Sequence, residues 1–319
     1  DVVTTFRGRG DEVRVHPLSF AEYLSVQQPL PFAEQHLNEY MRLGGLPQLV
    51  VMNSEQQKRQ YLSQLFANTY LVDIKERYAI RNDDDLEELI DVIASSIGSL
   101  TNPTKIANSF ASVKQSQLSK DTIKRYLDYM QDAFMIEKAV RYDIKGRKYI
   151  DTPAKYYFED LGLRNARINF RQTEPTHLME NLIYNELRVK GYSIDVGQVV
   201  TNTRNANGVS ERKQLEVDFV CNKADERIYI QSAYTMPTLE KQEQELKSLK
   251  LINDNFQKVV IAELTINQKI YQLITKSLCC LCKREYMYIV SNLGSLHSNE
   301  VHKHTSWFSI LNVNVECTR

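Results

Sequence analysis

The sequence has no excess of either charge: 40 Lys and Arg residues balance 40 Asp and Glu residues in 319. Any nucleic-acid contact must therefore come from a local basic patch rather than a global field. It also lacks an apolar run long enough to span a bilayer and a leader at its start, so we expect a soluble, cytoplasmic protein with no membrane partner. All five cysteines lie at or after Cys221, which is not the distribution of a secreted disulfide framework.

The chain is long enough for two or three domains, and its 42% apolar content allows each an ordinary core. The periodicity predicts a mixed α/β or α+β fold. Residues 12–16 alternate as in a strand, which predicts a short strand there. From about residue 31 to 80, apolar residues recur at helical spacing, which predicts a helical connector. Three aspartates at 83–85 then open the next helix. They could be a metal site, but a helix N-terminus favours negative charge, and no histidine is near.

Residues 86–99, 102–110 and 119–134 predict three short helices, and residues 137–150 predict a β-hairpin that turns at Gly146. This order is typical of a winged helix. The third helix would present its basic and hydroxyl side chains to a DNA groove, and the hairpin tip would add more basic groups. The predicted DNA-binding residues are Lys120, Thr122, Lys124, Arg125, Lys145, Arg147 and Lys148. Asp121 and Asp128 dilute this positive charge, so a protein-interaction module is the alternative.

Two neighbouring strand-like runs, 214–221 and 227–234, carry candidate catalytic residues. Metal-dependent phosphodiesterases need carboxylates to hold a hard cation and a lysine or similar group near the attacking water. Asp218 fits the first role, and Glu216 would share its side of a regular strand. The second run has Gln231 and Ala233, an amide and a methyl group, where an acid and a lysine would be expected.

The surrounding pattern predicts a helix at 177–190, strands at 192–200, 215–221 and 228–234, a helix at 240–252 and a strand at 258–262. This αβββαβ order resembles the restriction-endonuclease-like fold. The resemblance implies that Glu180 and Asp218 would hold Mg²⁺ or Mn²⁺, with Gln231 in place of the third acid. Since Ala233 stands in the lysine position, the resemblance predicts a degenerate site, unless Lys213 or Lys241 takes over the role.

Three further segments, 6–10 (FRGRG), 17–24 (PLSFAEYL) and 40–47 (YMRLGGLP), resemble prokaryotic AAA-type ATPases that carry a C-terminal domain of unknown function. The resemblance extends to about residue 263. It implies a P-loop ATPase half upstream, then a winged helix and a nuclease-like domain. No G-x-x-x-x-G-K-[ST] loop occurs here, so we expect ATP binding only in a full-length parent, of which this chain would be a fragment or truncated product.

The predicted organisation is an ATPase remnant (1–26), a connector (27–81), a winged helix (82–158), a nuclease-like domain (159–263) and an atypical tail (264–319). We expect this tail to be weakly ordered. A zinc finger is the alternative, because Cys279, Cys282, His297 and His302 have nearly its spacing.

Two functions follow from these patterns. The first is an accessory or regulatory region of an AAA-type ATPase, which binds DNA or a protein partner and contains a pseudo-nuclease. The second is a weak Mg²⁺- or Mn²⁺-dependent nuclease that uses Glu180, Asp218 and Gln231.

Overall fold

The computed structural model describes residues 13–27, 33–80, 83–114, 118–171, 174–204, 210–263 and 286–291. The arginines at 7 and 9 and the tail cysteines and histidines lie outside these ranges. The described chain is a mixed α and β structure. In the first half its helices are α1 (Phe20–Val26), α2 (Ala33–Leu43), a 3₁₀ turn (Pro47–Val51), α3 (Glu55–Leu65), a π-helical turn (Phe66–Leu71), α4 (Val72–Arg77), α5 (Asp83–Ser95), α6 (Pro103–Lys114) and α7 (Lys120–Asp132).

The second half contains the strands, with helices between them. Its elements are β1 (Ile136–Asp143), β2 (Lys148–Phe158), α8 (Leu161–Arg167), α9 (Pro175–Val189), β3 (Ser193–Arg204), β4 (Ser210–Lys223), β5 (Glu226–Ala233), α10 (Leu239–Lys250), β6 (Gln257–Glu263) and β7 (Tyr286–Ser291). The order from α9 to β6 is the αβββαβ order that the sequence predicts. Within the described ranges, no helix combines the length and apolar character needed to cross a bilayer.

Local signals explain where the helices begin. The Ser119 side chain accepts a hydrogen bond from the backbone N–H of Thr122 and so caps α7. Ile123, Leu127 and Met130 are buried at the i, i+4 and i+7 positions of that helix, which places its apolar stripe on the core. Ser19 and Glu22 form a reciprocal capping box at the start of α1.

Two elements differ from the predictions. Residues 13–16 are not a strand, although their sequence alternates; instead Arg14 turns inward to the carboxylates of Glu137 and Glu159. In the hairpin turn, the left-handed residue is Arg147 (φ 51°) rather than Gly146. Gly146 contributes its N–H, which donates to Asp143 Oδ1 at 2.9 Å.

One seven-stranded sheet holds the described β-structure, in the order β2-β1-β3-β4-β5-β6-β7. The β1–β2, β3–β4 and β4–β5 pairs are antiparallel, and the β1–β3, β5–β6 and β6–β7 pairs are parallel. The hairpin that sequence reasoning assigns to a wing therefore continues the sheet of the C-terminal strands. Residues of the two predicted domains share a single sheet.

Helices cover both faces of this sheet. The first face packs under α9 in a core that includes Tyr157, Phe219 and Ile230. The second face packs under α10, where Val217 and Leu249 are fully buried. We call the cluster under α9 the first core and the cluster under α10 the second core. The core that a side chain joins therefore shows on which face of the sheet it lies.

Two sequence motifs, GGLP at 44–47 and EDLGLRN at 159–165, are packed against each other. The buried Asp160 carboxylate accepts hydrogen bonds from the N–H groups of Gly45 and Leu163, at 2.8 and 2.9 Å, so it caps α8 and holds the GGLP turn. A Cβ at Gly162 would lie 1.9 Å from the Leu43 carbonyl oxygen. The close approach of the two segments requires glycine.

Candidate carboxylate and lysine site

A β-bulge in β4 determines where Asp218 points. Asp195 of β3 pairs with Val220 and Gly197 pairs with Val217, so Asp218 and Phe219 together oppose one residue of β3. Val217 and Val220 both join the second core, whereas Phe219 joins the first. A bulge places two successive side chains on one side of a strand, and here Asp218 and Phe219 both face α9.

On that face, four charged side chains from three elements meet. Lys155 of β2 places Nζ 2.8 Å from Glu180 Oε1, 2.6 Å from Glu216 Oε1 and 3.8 Å from Asp218 Oδ1. Glu180 lies on α9, and its Oε1 also accepts a hydrogen bond of 2.7 Å from the Tyr157 hydroxyl. The Lys155 side chain is only 3% exposed, and Glu180 and Asp218 are buried as well, while Glu216 is 36% exposed and forms the outer edge.

Burial and mutual repulsion control the protonation of this cluster. Burial, and after it repulsion from Glu180, raises the pKa of Asp218 to about 8. The positive charge of Lys155 and the hydrogen bond from the Ser232 N–H lower this pKa, but by less than burial and repulsion raise it. Burial alone would lower the pKa of Lys155, but attraction to the carboxylates of Glu180, Asp218 and Glu216 raises it overall. The ammonium thus stays charged throughout the physiological range. Asp218 is largely protonated at neutral pH.

Of the three predicted catalytic residues, the structure brings Glu180 and Asp218 together and separates Gln231 from them. Gln231 lies on the opposite face of the sheet, where its amide is 3.4 Å from Glu245 and 3.5 Å from Ser248 of α10. Ala233 belongs to the same second core. The cause is the bulge: in a regular antiparallel register, Asp218 would stand opposite Gln231 on one face, and the extra residue turns Asp218 away.

The β5 residue that reaches the site is Ser232. Its backbone N–H donates to Asp218 Oδ2 at 2.7 Å, and its own hydroxyl is buried without a hydrogen-bond partner among the described residues. The two lysines that sequence reasoning offers as replacements lie elsewhere. Lys213 is exposed, five residues along β4 from Asp218, and Lys241 pairs with Glu245 of its own helix.

The lysine of the cluster is Lys155, which sequence reasoning missed. It comes from the hairpin rather than from the predicted nuclease-like domain. One signal was available: Lys155 interrupts the otherwise apolar run 154–158, and a lysine in a buried strand requires an ionic partner. The sequence could not identify that partner.

The donor set does not fit a bound metal as it stands. The nearest oxygens of Glu180 and Glu216 are directed at the Lys155 ammonium, which occupies the space between them. Across the residues with a described placement, no group of three or more His, Cys, Asp or Glu side chains is arranged to hold a metal ion. The Lys155 ammonium therefore lies where the sequence predicts Mg²⁺ or Mn²⁺, next to Glu180 and Asp218.

The predicted DNA-binding residues fall into two groups. Lys120, Lys124 and Arg125 are exposed on the first turns of α7, and Thr122 there is hydrogen-bonded to Ser119. The second group, at the exposed turn between β1 and β2, comprises Lys145, Arg147 and Lys148.

A groove of about 1010 Å³ runs between α6, α7 and the β1–β2 hairpin. Lys105, Lys120 and Lys124 line it, together with the acidic side chains of Asp121 and Asp128. Lys138 and Asp151 form an ion pair on its hairpin wall. The groove therefore has a mixed charge with a small excess of lysine.

Residues 34–174 match a family model described as "Domain of unknown function (DUF8612)". An uncharacterized protein of Haemophilus influenzae is 34% identical over 264 residues, which cover 82% of this chain and 62% of that protein. Uncharacterized protein MJ1544 of Methanocaldococcus jannaschii is 26% identical over 291 residues, 86% of this chain and 62% of that protein. The chain thus spans 62% of the length of these curated relatives.

Among solved structures, protein VC1899 from Vibrio cholerae is 12% identical and aligns over 88% of this chain and 61% of that chain. The TM-score of 0.25 is too low to support an argument about the fold. The descriptions of the family model and of these two relatives name no activity.

Proposed function

We propose that this chain is a DNA-binding accessory region in which a nuclease-like carboxylate cluster has a structural rather than a catalytic role. The observation that carries the non-catalytic part is the position of Lys155. Its ammonium is buried between Glu180 and Glu216, 2.8 and 2.6 Å from their nearest oxygens, so the groups that would bind a metal are already neutralised from within.

The DNA-binding part rests on the groove. Exposed Lys120 and Lys124 lie one turn apart at the start of α7, and Lys105 faces the same groove from α6. The helix order α5, α6, α7 followed by a hairpin is that of a winged helix, in which the third helix meets the major groove. Because Asp121 and Asp128 are close by, we expect weak, salt-sensitive binding that depends on phosphate contacts.

The larger setting is also a proposal. The relatives are longer than this chain, and the segments at 17–24 and 40–47 resemble those that follow the P-loop core of AAA-type ATPases. We propose that the chain functions next to such an ATPase half, which would supply ATP binding. Within the described residues, α1 packs against Glu186 and the GGLP segment packs against Asp160. Both segments are therefore a folded part of this region.

Fluorescence anisotropy with a labelled duplex of about 20 base pairs, in a salt series from about 50 to 200 mM, tests DNA binding. The variant is Lys120→Ala/Lys124→Ala. If both lysines contact phosphates, the slope of log affinity against log salt should become shallower by about 2.

The matched control is Lys247→Ala/Lys250→Ala, which removes two exposed lysines from α10 on the other face of the sheet. This control should keep the wild-type slope. If both double variants have the same slope, or if no binding occurs at low salt, DNA is not the ligand of the groove. The alternative, a protein partner, would then be favoured.

A weak nuclease is the second candidate, because the cluster does combine carboxylates with a lysine, as such active sites require. Plasmid and single-stranded DNA incubated with Mg²⁺ or Mn²⁺ should remain intact under the primary proposal. Cleavage by the wild type that disappears in Asp218→Ala would establish the nuclease instead.

A further inference from the structure

A row of aromatic and arginine side chains crosses the second face of the sheet, beside the turn between β1 and β2. Tyr142 of β1 is paired with Tyr149 of β2, and their ring centroids are 5.2 Å apart. The Arg227 guanidinium of β5 lies 5.2 Å from the Tyr142 ring centroid and 5.5 Å from that of Phe256, in the loop before β6. Tyr142 belongs to the second core, which places the row on that face. We call these four residues the aromatic row.

The two ends of the aromatic row are open to solvent, whereas its middle is held in place. Tyr149 is 65% exposed and Phe256 is 42% exposed, while Tyr142 is buried. Arg227 Nε donates a hydrogen bond of 2.7 Å to the Asn222 side chain, which fixes the guanidinium between the rings of Tyr142 and Phe256. Exposed aromatic rings on a fixed base are platforms on which unpaired nucleic-acid bases stack.

Positive charge adjoins the Tyr149 end of the row. The exposed basic side chains of the β1–β2 turn, directly before Tyr149, are Lys145, Arg147 and Lys148. The two acidic side chains at this end are buried: Asp143 accepts the N–H of the turn, and Asp195 interacts with Arg227 and with the Tyr149 hydroxyl. Exposed Asp225 and Glu226 lie at the β4–β5 turn instead. A phosphate backbone would therefore contact the β1–β2 turn.

We infer that the aromatic row binds single-stranded DNA, with bases stacked on Tyr149 and Phe256 and phosphates held by the basic side chains of the β1–β2 turn. This inference rests on the proposed DNA binding and adds the form of DNA that this face recognises. Single-stranded DNA fits the row better than a duplex, because stacking on a protein ring requires a base whose face is free. The groove beside α7 would bind the duplex part of the same DNA.

Fluorescence anisotropy of the full chain tests the inference with two labelled probes, an oligothymidylate of about 15 nucleotides and a blunt duplex. Tyr149→Ala and Phe256→Ala should each weaken oligothymidylate binding by about 5- to 140-fold, the range for loss of one stacked base. Neither variant should change the affinity for the duplex. Lys145→Ala/Lys148→Ala should make the slope of log oligothymidylate affinity against log salt shallower by about 1.4.

Two controls separate stacking from general damage to the fold. Tyr149→Phe keeps the ring and should keep the oligothymidylate affinity. Phe134→Ala removes a ring that is 51% exposed at the opposite end of β1, and it should leave this affinity unchanged. Far-ultraviolet circular dichroism should be the same for all variants, because the substituted side chains are exposed.

Four results would overturn the inference. They are no oligothymidylate binding by the wild type, an unchanged affinity in Tyr149→Ala or Phe256→Ala, a loss in Tyr149→Phe as large as in Tyr149→Ala, and equal losses for the oligothymidylate and the duplex. If the wild type binds the oligothymidylate in this way but Lys120→Ala/Lys124→Ala leaves the salt slope for the duplex unchanged, only the groove is excluded as a DNA site. The two proposals can therefore fail separately.

Discussion

Replacement of Lys155 by methionine tests whether the buried cluster stabilises the fold. Methionine keeps most of the stem's volume but removes the ammonium, so the buried Glu180 carboxylate loses its cationic partner and lies beside the partly exposed Glu216 carboxylate. Removing one partner of a buried ion pair costs about 3–5 kcal/mol. Total stabilities are about 5–15 kcal/mol, so the change should be a large fraction of the whole. The midpoint of urea unfolding, followed by far-ultraviolet circular dichroism, measures it.

The matched control is Lys138→Met on the neighbouring strand β1. Lys138 also pairs with a carboxylate, but Asp151 is 74% exposed, and such surface pairs contribute at most about 1 kcal/mol. Similar losses in Lys155→Met and Lys138→Met would refute the burial argument. Asp218→Asn should cost less than about 1 kcal/mol at pH 7, because Asp218 is already largely protonated there and asparagine still accepts the Ser232 N–H.

Two further predictions concern the packing of the first half of the chain. Burial raises the pKa of Glu186 to about 7, so its contribution to stability is complete below about pH 4.5 and is lost as the pH rises through 7. Glu186→Gln keeps an acceptor for the Phe20 N–H and should remove this dependence, worth about 3 kcal/mol, when the free energy of unfolding is measured from pH 4.5 to 8. Gly162→Ala places a Cβ 1.9 Å from the Leu43 carbonyl oxygen and should cost about 1–3 kcal/mol by urea unfolding; an unchanged midpoint would show that the two segments are not in contact.

The order of elements was accessible from the sequence because it depends on local periodicity. Ser119 predicts the start of α7, and apolar residues at helical spacing predict its buried face. The alternation over 215–221 predicts a strand, although β4 extends further on both sides. Residues 13–16 show the limit of this reasoning: they alternate like a strand but form none, because a strand requires a partner.

The members of the candidate site were only partly accessible. Glu180 and Asp218 have the residue types and element positions that the αβββαβ pattern requires, and they do lie close together. The fold resemblance placed Gln231 with them, but the bulge in β4 turns Asp218 to the face opposite that of Gln231. A bulge depends on cross-strand pairing and leaves no reliable local signal.

The sequence by itself determined the type and order of the elements from α9 to β6 and the presence of two carboxylates suited to one site. The tertiary structure decided what that site contains. Lys155 is 25 residues before Glu180 and 63 before Asp218, and only the folding of the hairpin into the same sheet brings its amine to their carboxylates. Side-chain periodicity is a local property, whereas the pairing of charges in a buried cluster depends on sheet order, register and the direction of a single bulge.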